Sequence, residues 1–236
     1  MTDLAALLAP ERLVDLTQPL GPQTVLWPGS TPFAATVVAD YDTHGGYARE
    51  LAVPEHAGTH LDAPVHFARD AIDAAGLGLD ALVRPAVVLD VRDRVAGDPT
   101  AEVTAADVEA IERRDGPVPA GAAVLVLTGW DAYVGDPDRY AGPPGATAFP
   151  GLAVDAAELL VFRGVVGVGI DTLGIDPGHA VDFPAHRVTL HAGLWHLEGL
   201  VGLDRLPARG AWVIVAPIPV VAGSGAPARV LAILPS

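Results

Sequence analysis

Three short runs, Ala86–Val91 (AVVLDV), Ala123–Leu127 (AVLVL) and Val165–Ile170 (VVGVGI), are apolar and β-branched with almost no polar alternation. Strands with one wet face alternate; runs like these are expected where a sheet is covered on both sides. Between them, Ala105–Arg114 and Val154–Phe162 carry helical spacing, with Thr104 as N-cap, Asp107 in the first turn and Gly164 ending the second segment. These are placed as crossover helices. Trp212–Ala216 and Arg229–Leu234 add two strands. Upstream, Asp3–Ala9 reads as a short helix stopped by Pro10, Arg12–Leu16 as a strand, and Trp27-Pro28-Gly29 as a loop. Thr36–Tyr41 and Tyr47–Val53 read as a hairpin turning through His44-Gly45-Gly46. The predicted fold is α/β, a mixed sheet with crossover helices and an N-terminal β-hairpin region. No repeat, low-complexity linker or boundary interrupts residues 1–236, which are expected to form a single domain.

Composition narrows the chemistry mostly by what is missing. All 14 basic residues are Arg, so Schiff-base catalysis and a phosphate-loop lysine are excluded. Cysteine is absent, which removes disulfides, thiolate ligands and cysteine nucleophiles. Ser30, Ser224 and Ser236 are the only serines and none lies in a G-x-S-x-G turn, which argues against a serine hydrolase of the nucleophile-elbow type. The net charge of -15, without a basic run, repels nucleic acid and anionic membranes. Met1-Thr2-Asp3-Leu4 starts no secretory signal pattern, and no window reaches the roughly 18 to 20 apolar residues of a membrane span. The expectation is a cytoplasmic protein with a small-molecule substrate.

Three of eight histidines fall within His56-Ala57-Gly58-Thr59-His60-Leu61-Asp62-Ala63-Pro64-Val65-His66. Gly58, Thr59 and Pro64 disfavour a helix, so the stretch reads as extended, with His56, His60, Asp62 and His66 on one face. A straight strand separates His56 and His60 by roughly 13 Å at about 3.3 Å per residue. That is too far for two imidazoles to share one ion through bonds of about 2.0 to 2.1 Å. A ligand reading therefore requires a bend, which Gly58 permits. Imidazole with carboxylate suits zinc, or manganese where more oxygen is present.

The string HAGTHLDAPVHF matches every fixed position of H-x-G-T-H-x-D-x-P-x-H, the signature of the cyclase-type metal-dependent hydrolases, and the chain resembles that family, which contains bacterial kynurenine formamidase and isatin hydrolase. Asp15-Leu16-Thr17-Gln18-Pro19-Leu20, Trp27-Pro28-Gly29 and Gly169-Ile170-Asp171-Thr172 extend the likeness over nearly the whole chain. The resemblance implies a swivelling β/β/α fold, a homo-oligomer (dimer or tetramer), and one or two Zn2+ or Mn2+ ions per subunit. It implies His56, His60 and Asp62 as metal ligands, Asp62 able to bridge two ions, and His66 as catalytic acid/base. The formamidase branch adds a His and a Glu twelve residues apart, matched here by His186 and Glu198, with His191 and His196 close by in the chain. Where the formamidases carry Pro-Ser after Asp-Thr, this chain has Leu173-Gly174.

The expected activity is hydrolysis of an amide or ester, a formamide, lactam or lactone, by metal-activated water, with arylformamides the leading substrates. Two other classes stay open: a lyase or dehydratase (cyclase) in which the ion stabilises an enolate, and a non-catalytic metal-dependent binding protein. Trp27 is a candidate pocket wall. His44, His179 and His196 are read as structural or surface residues, and His191 as a possible outer partner of the site.

Overall fold

Along residues 8–235, which this computed structural model describes, the strands are β1 (Leu13–Asp15), β2 (Ala34–Ala39), β3 (Ala48–Ala52), β4 (His60–Asp62), β5 (Val83–Asp90), β6 (Glu102–Val103), β7 (Ala123–Leu127), β8 (Gly151–Leu152), β9 (Gly167–Ile170), β10 (Trp195–Glu198), β11 (Trp212–Pro217) and β12 (Gly225–Ile233). The three apolar runs lie side by side: β5, β7 and β9 are parallel, with Ala86 opposite Ala123 and Val124 opposite Val168. β10 extends this parallel set, and β4 joins it antiparallel.

β12 then closes the sheet. Gly225–Pro227 pair with β4, whereas Ala228–Ile233 pair with β11, which lies against β5. β1 adds to β12 beyond that junction, and the result is a barrel-like sheet with few free edges. β2 and β3 form a separate antiparallel ribbon, and β6 and β8 a short parallel pair.

Alternation along the strands sorts side chains into two cores. Leu61, Val88, Leu125, Leu197, Val213 and Val230 point into the barrel around Trp195. Gly167 leaves room for that indole, because a Cβ there would overlap its ring, and Trp195 Nε1 donates to the Ala81 carbonyl. Val87, Val124, Val126 and Ile170 face outward, under the helices Ala105–Asp115, Val154–Phe162 and Pro184–His191.

Both expected crossover helices form, the first with a reciprocal capping box between Thr104 and Asp107. Several boundaries differ from the sequence reading, three of them in ways that bear on the topology. Asp40 accepts from Thr43 N and starts a helical turn, Tyr41–His44, so β2 stops at Ala39. β12 begins at Gly225, four residues before the expected Arg229, and the added part is what reaches β4. β4 covers only His60–Asp62 of the motif expected to be extended. The helix Pro184–His191 and strand β10 have no counterpart in the sequence reading. The helix expected at Asp3–Ala9 lies largely outside the described residues. Among those residues no helix is long and apolar enough to cross a membrane.

Candidate metal centre

The register between β4 and β10 builds the centre. His196 lies opposite Asp62, Leu197 opposite Leu61 and Glu198 opposite His60. Period-two alternation sends both leucines into the barrel and leaves two histidines, an aspartate and a glutamate on the other face. All four polar residues are at least 95% buried.

Gly58 supplies the required bend at φ +61°, in the left-handed region that glycine enters without strain. It brings the His56 ring to 5.2 Å from that of His60. Thr59 Oγ1 donates to the Gly199 carbonyl at 2.6 Å and accepts from Gln18 N, pinning the bend beside the end of β10. After Asp62 the chain enters a 3-10 turn, Pro64–His66, which stacks His66 on His56 with ring centroids 4.2 Å apart. His186 arrives on the first turn of the helix Pro184–His191.

Hydrogen bonds fix which nitrogen each buried imidazole turns inward. His60 Nδ1–H donates to the Gly58 carbonyl at 3.0 Å, leaving Nε2 inward. His186 Nδ1–H donates to Asp176 at 2.5 Å, also leaving Nε2 inward. Asp176 is itself anchored by Ala185 N and His186 N, so one carboxylate caps the helix and orients the imidazole. Thr189 Oγ1 donates to the Ala185 carbonyl and therefore accepts from His196 Nε2–H at 2.6 Å, which leaves Nδ1 inward. His56 is held at both nitrogens, by Asp62 at 2.6 Å and by Ser224 Oγ at 2.8 Å, and Ser224 donates to Glu55.

The inward atoms lack hydrogen-bond partners: His60 Nε2, Asp62 Oδ2 and His196 Nδ1 are buried and unpaired. His60 Nε2 is 3.3 Å from both Asp62 and Glu198, and His186 Nε2 is 3.4 Å from Asp62 and 3.1 Å from Glu198. Four ligands at about 2.0 to 2.1 Å from one ion in a tetrahedron sit about 3.4 Å apart, so these spacings match a coordination shell. Two groups fit, Asp62 with His186, His196 and Glu198, and His56 with Asp62 and His66, and they share Asp62.

The electrostatics call for positive charge. Burial opposes an imidazolium at His60, but the Asp62 and Glu198 carboxylates, each 3.3 Å away, reverse this and raise its pKa to about 10. At His186 burial is likewise overcome, here by Asp176, Asp62 and Glu198, and the value lies well above normal. Burial pushes the Asp62 carboxyl up, and the surrounding imidazoles, His56 foremost, hold it well below the usual range. Burial lowers His66 to about 4, so its imidazole is uncharged near neutrality. Among the described residues, the ion-pair partners of Asp62 and Glu198 are all histidines. Two buried carboxylates without Arg or Lys are costly unless a cation joins them.

A cavity of about 290 Å³ opens onto the centre. Trp27, Phe67 and Phe183 wall it, with Phe183 5.6 Å from Trp27 and 5.7 Å from Phe67 between ring centroids. Phe183 adopts φ +48°, a left-handed conformation rare for a bulky residue and of a kind that clusters at ligand sites.

The structure thus brings His56, His60, Asp62, His66, His186 and Glu198 together and places Trp27 on the wall. His191 is exposed at its helix end, bonded to the Arg187 carbonyl, and stands apart from the cluster. His44 and His179 are exposed, the latter beside Glu102. His196 corrects the sequence reading: it is fully buried and faces Asp62 at 3.6 Å. Its alternation with Leu197 and Glu198 was a signal for a shared face, legible only once β10 is known to be a strand. Asp176 was also missed. Asp171 accepts from Thr128 and Gly129 and joins the ends of β7 and β9; burial lifts its pKa to about 7 against those bonds.

A barrel-like mixed sheet carrying this histidine–carboxylate cluster defines a class, the cyclase-type metal-dependent hydrolases, and comparison with known proteins agrees. Residues 14–177 match the model of the Cyclase family. Isatin hydrolase of Roseibium aggregatum is 35% identical, over 98% of this chain and 95% of that protein. A kynurenine formamidase of Erythrobacter litoralis is 31% identical, over 93% of each chain. The crystal structure of an isatin hydrolase bound to the product analogue thioisatinate superposes with a TM-score of 0.93 at 31% identity, covering 99% of this chain and 97% of that one. The chain belongs to the Cyclase family.

Proposed function

We propose that this protein hydrolyses the amide C–N bond of an uncharged aromatic compound, a cyclic aryl amide of the isatin type, with arylformamides as the next candidates. In this reading one or two divalent cations, Zn2+ or Mn2+, are held by His56, His60, Asp62, His186 and Glu198. The observation that carries it is the pair of buried carboxylates, Asp62 and Glu198, faced by imidazole nitrogens without hydrogen-bond partners.

A bound divalent cation lowers the pKa of water from 15.7 to about 7 and polarises the substrate carbonyl. His66, half-buried at the cavity and stacked on His56, accepts the proton of the attacking water. The water oxygen bonds to the carbonyl carbon, the C–N bond breaks, and His66 returns the proton to the departing nitrogen. Trp27, Phe67 and Phe183 hold the aromatic ring. No Arg lines the cavity among the described residues, and the chain has no Lys, so no guanidinium or ammonium group there pairs with a substrate carboxylate. This favours an isatin-like ring over a substrate bearing kynurenine's amino-acid end.

The test is turnover of isatin and of N-formylkynurenine by protein loaded with Mn2+ or Zn2+, compared with chelated protein, in water enriched in 18O. Metal-dependent opening of isatin with one labelled oxygen in the product is expected. Cleavage without label would move the assignment to a lyase, and no turnover of either compound by fully metallated protein would overturn the reading. We further read the chain as one domain of swivelling β/β/α type, acting in the cytoplasm as a homo-oligomer. The ribbon β2–β3, with Val37, Tyr41 and Leu51 exposed, supports a subunit contact that light scattering tests.

A further inference from the structure

We infer that His196 is itself a ligand, through Nδ1, of the cation held between β4 and β10. The inference rests on the metal reading of the cluster and adds a donor that the motif does not contain. His196 is fully buried, and its Nδ1 has no hydrogen-bond partner. Thr189 accepts its other ring proton while committing its own hydroxyl to the Ala185 carbonyl, so the inward nitrogen carries a lone pair rather than a proton. That lone pair faces Asp62 Oδ2, also unpaired, across 3.6 Å.

Two buried lone pairs at this range repel unless something positive lies between them, and 3.6 Å is close to the roughly 3.4 Å between neighbouring ligands of a tetrahedral ion. The other donors close the shell. His186 Nε2 is 3.4 Å from the same Asp62 oxygen and 3.1 Å from Glu198, and the His186 and His196 rings meet edge-on at 4.8 Å. The β4–β10 register, rather than chance proximity, sets His196 against Asp62. Thr189 then acts as a positioning residue that fixes the tautomer, as outer partners of metal-bound imidazoles do.

The atom used separates this ligand from His60 and His186. His60 and His186 present Nε2, because their Nδ1 atoms donate to Gly58 and Asp176. His196 presents Nδ1. Protein labelled with 15N at histidine and loaded with 113Cd2+ should show a one-bond Cd–N coupling at the His196 Nδ1 resonance, assigned by its loss in His196→Asn. Titration of the apoprotein with Co2+ should give a dissociation constant raised at least about 10- to 100-fold in His196→Asn, the range that loss of an outer partner alone produces. Thr189→Val should weaken Co2+ binding less.

Couplings at His60 and His186 without one at His196, with Co2+ affinity unchanged in the variant, would overturn the inference and leave the metal reading intact. No coupling at any histidine would overturn both. The His196 ring is also assigned on the wild-type chain, from its contact with Thr189, so a variant that fails to fold leaves the test decisive.

Discussion

β7 and β10 flank β9 in the same sheet and both are buried over their full length, yet they spend that burial differently. β7 is apolar on both faces: Leu125 points into the barrel, and Val124 and Val126 lie under the helices. β10 sends Trp195 and Leu197 into the same barrel but turns His196 and Glu198 outward. One strand gains stability from each face. The other gains it from one face and on the other carries groups that are unfavourable when dry and useful when they grip a cation. Comparable burial thus supports either a scaffold or a site, and Asp62, on the strand beside β10, marks where the two diverge.

The sharpest way to break that comparison is Asp62→Asn. Turnover should fall at least about 10³-fold, the scale of removing a group that organises transition-state charge. Stability of the metal-free protein should also fall, by about 3 kcal/mol or more, because the imidazoles of His56, His60 and His186 lose the buried carboxylate that faces them. Thermal melts in chelator check this, and an apoprotein as stable as the wild type would mean that the imidazoles do not compensate the Asp62 charge.

Leu125→Ala is the mirror image. The cavity left in the barrel should cost about 3 kcal/mol. For a chain of this size that lowers the melting temperature by about 6 to 12 °C. Co2+ affinity should stay within about twofold of wild type at temperatures where the variant is folded; a large loss would mean that barrel packing and site geometry are not separable.

Asp176→Asn tests the support behind the site. The cap at Ala185 can persist through the amide oxygen, but the anionic partner of His186 Nδ1–H is lost. Metal affinity should fall about 10- to 100-fold with the apoprotein melt nearly unchanged. Calorimetric titration measures the first quantity, and unchanged affinity would reduce Asp176 to a helix cap.

The smallest effect belongs to the scaffold surface. Glu112 accepts from Arg163 Nε at 2.9 Å and Nη2 at 2.7 Å, and from Val118 N at 3.0 Å. The Arg163 guanidinium holds this carboxyl below its ordinary value of 4.5. A depressed carboxyl contributes stability above its ordinary pKa and loses it as pH falls through the folded-state value. Glu112→Gln should therefore cost about 1 kcal/mol at pH 7, given partial screening, and progressively less below pH ~4. Denaturant melts at the two pH values check the sign; a deficit that grows in acid would contradict it.

Much of this contrast was legible in one dimension. The doubly covered strands β5, β7 and β9, the Thr104 cap and the helix Val154–Phe162 follow from local pattern, since burial on both faces selects unbroken apolar runs. The bend at Gly58 followed from chain geometry, because an extended backbone holds His56 and His60 too far apart to meet. His196 and Asp176 escaped for one shared reason. A single histidine on a four-residue strand, or an aspartate ten residues before its partner, has no periodicity to stand out against.

The order of residues by itself determined the chemical alphabet of the protein: no thiol, no amine, a dense histidine–aspartate motif, and apolar runs able to form only a covered sheet. Tertiary structure decided which letters meet. Asp62 and His196 are 134 positions apart and become neighbours because β4 and β10 pair in one register. That register is set by Leu61 and Leu197 seeking the barrel interior. A slip of one residue would turn these leucines out and the ligands in, so the free energy that places the metal centre is largely that of the apolar core behind it.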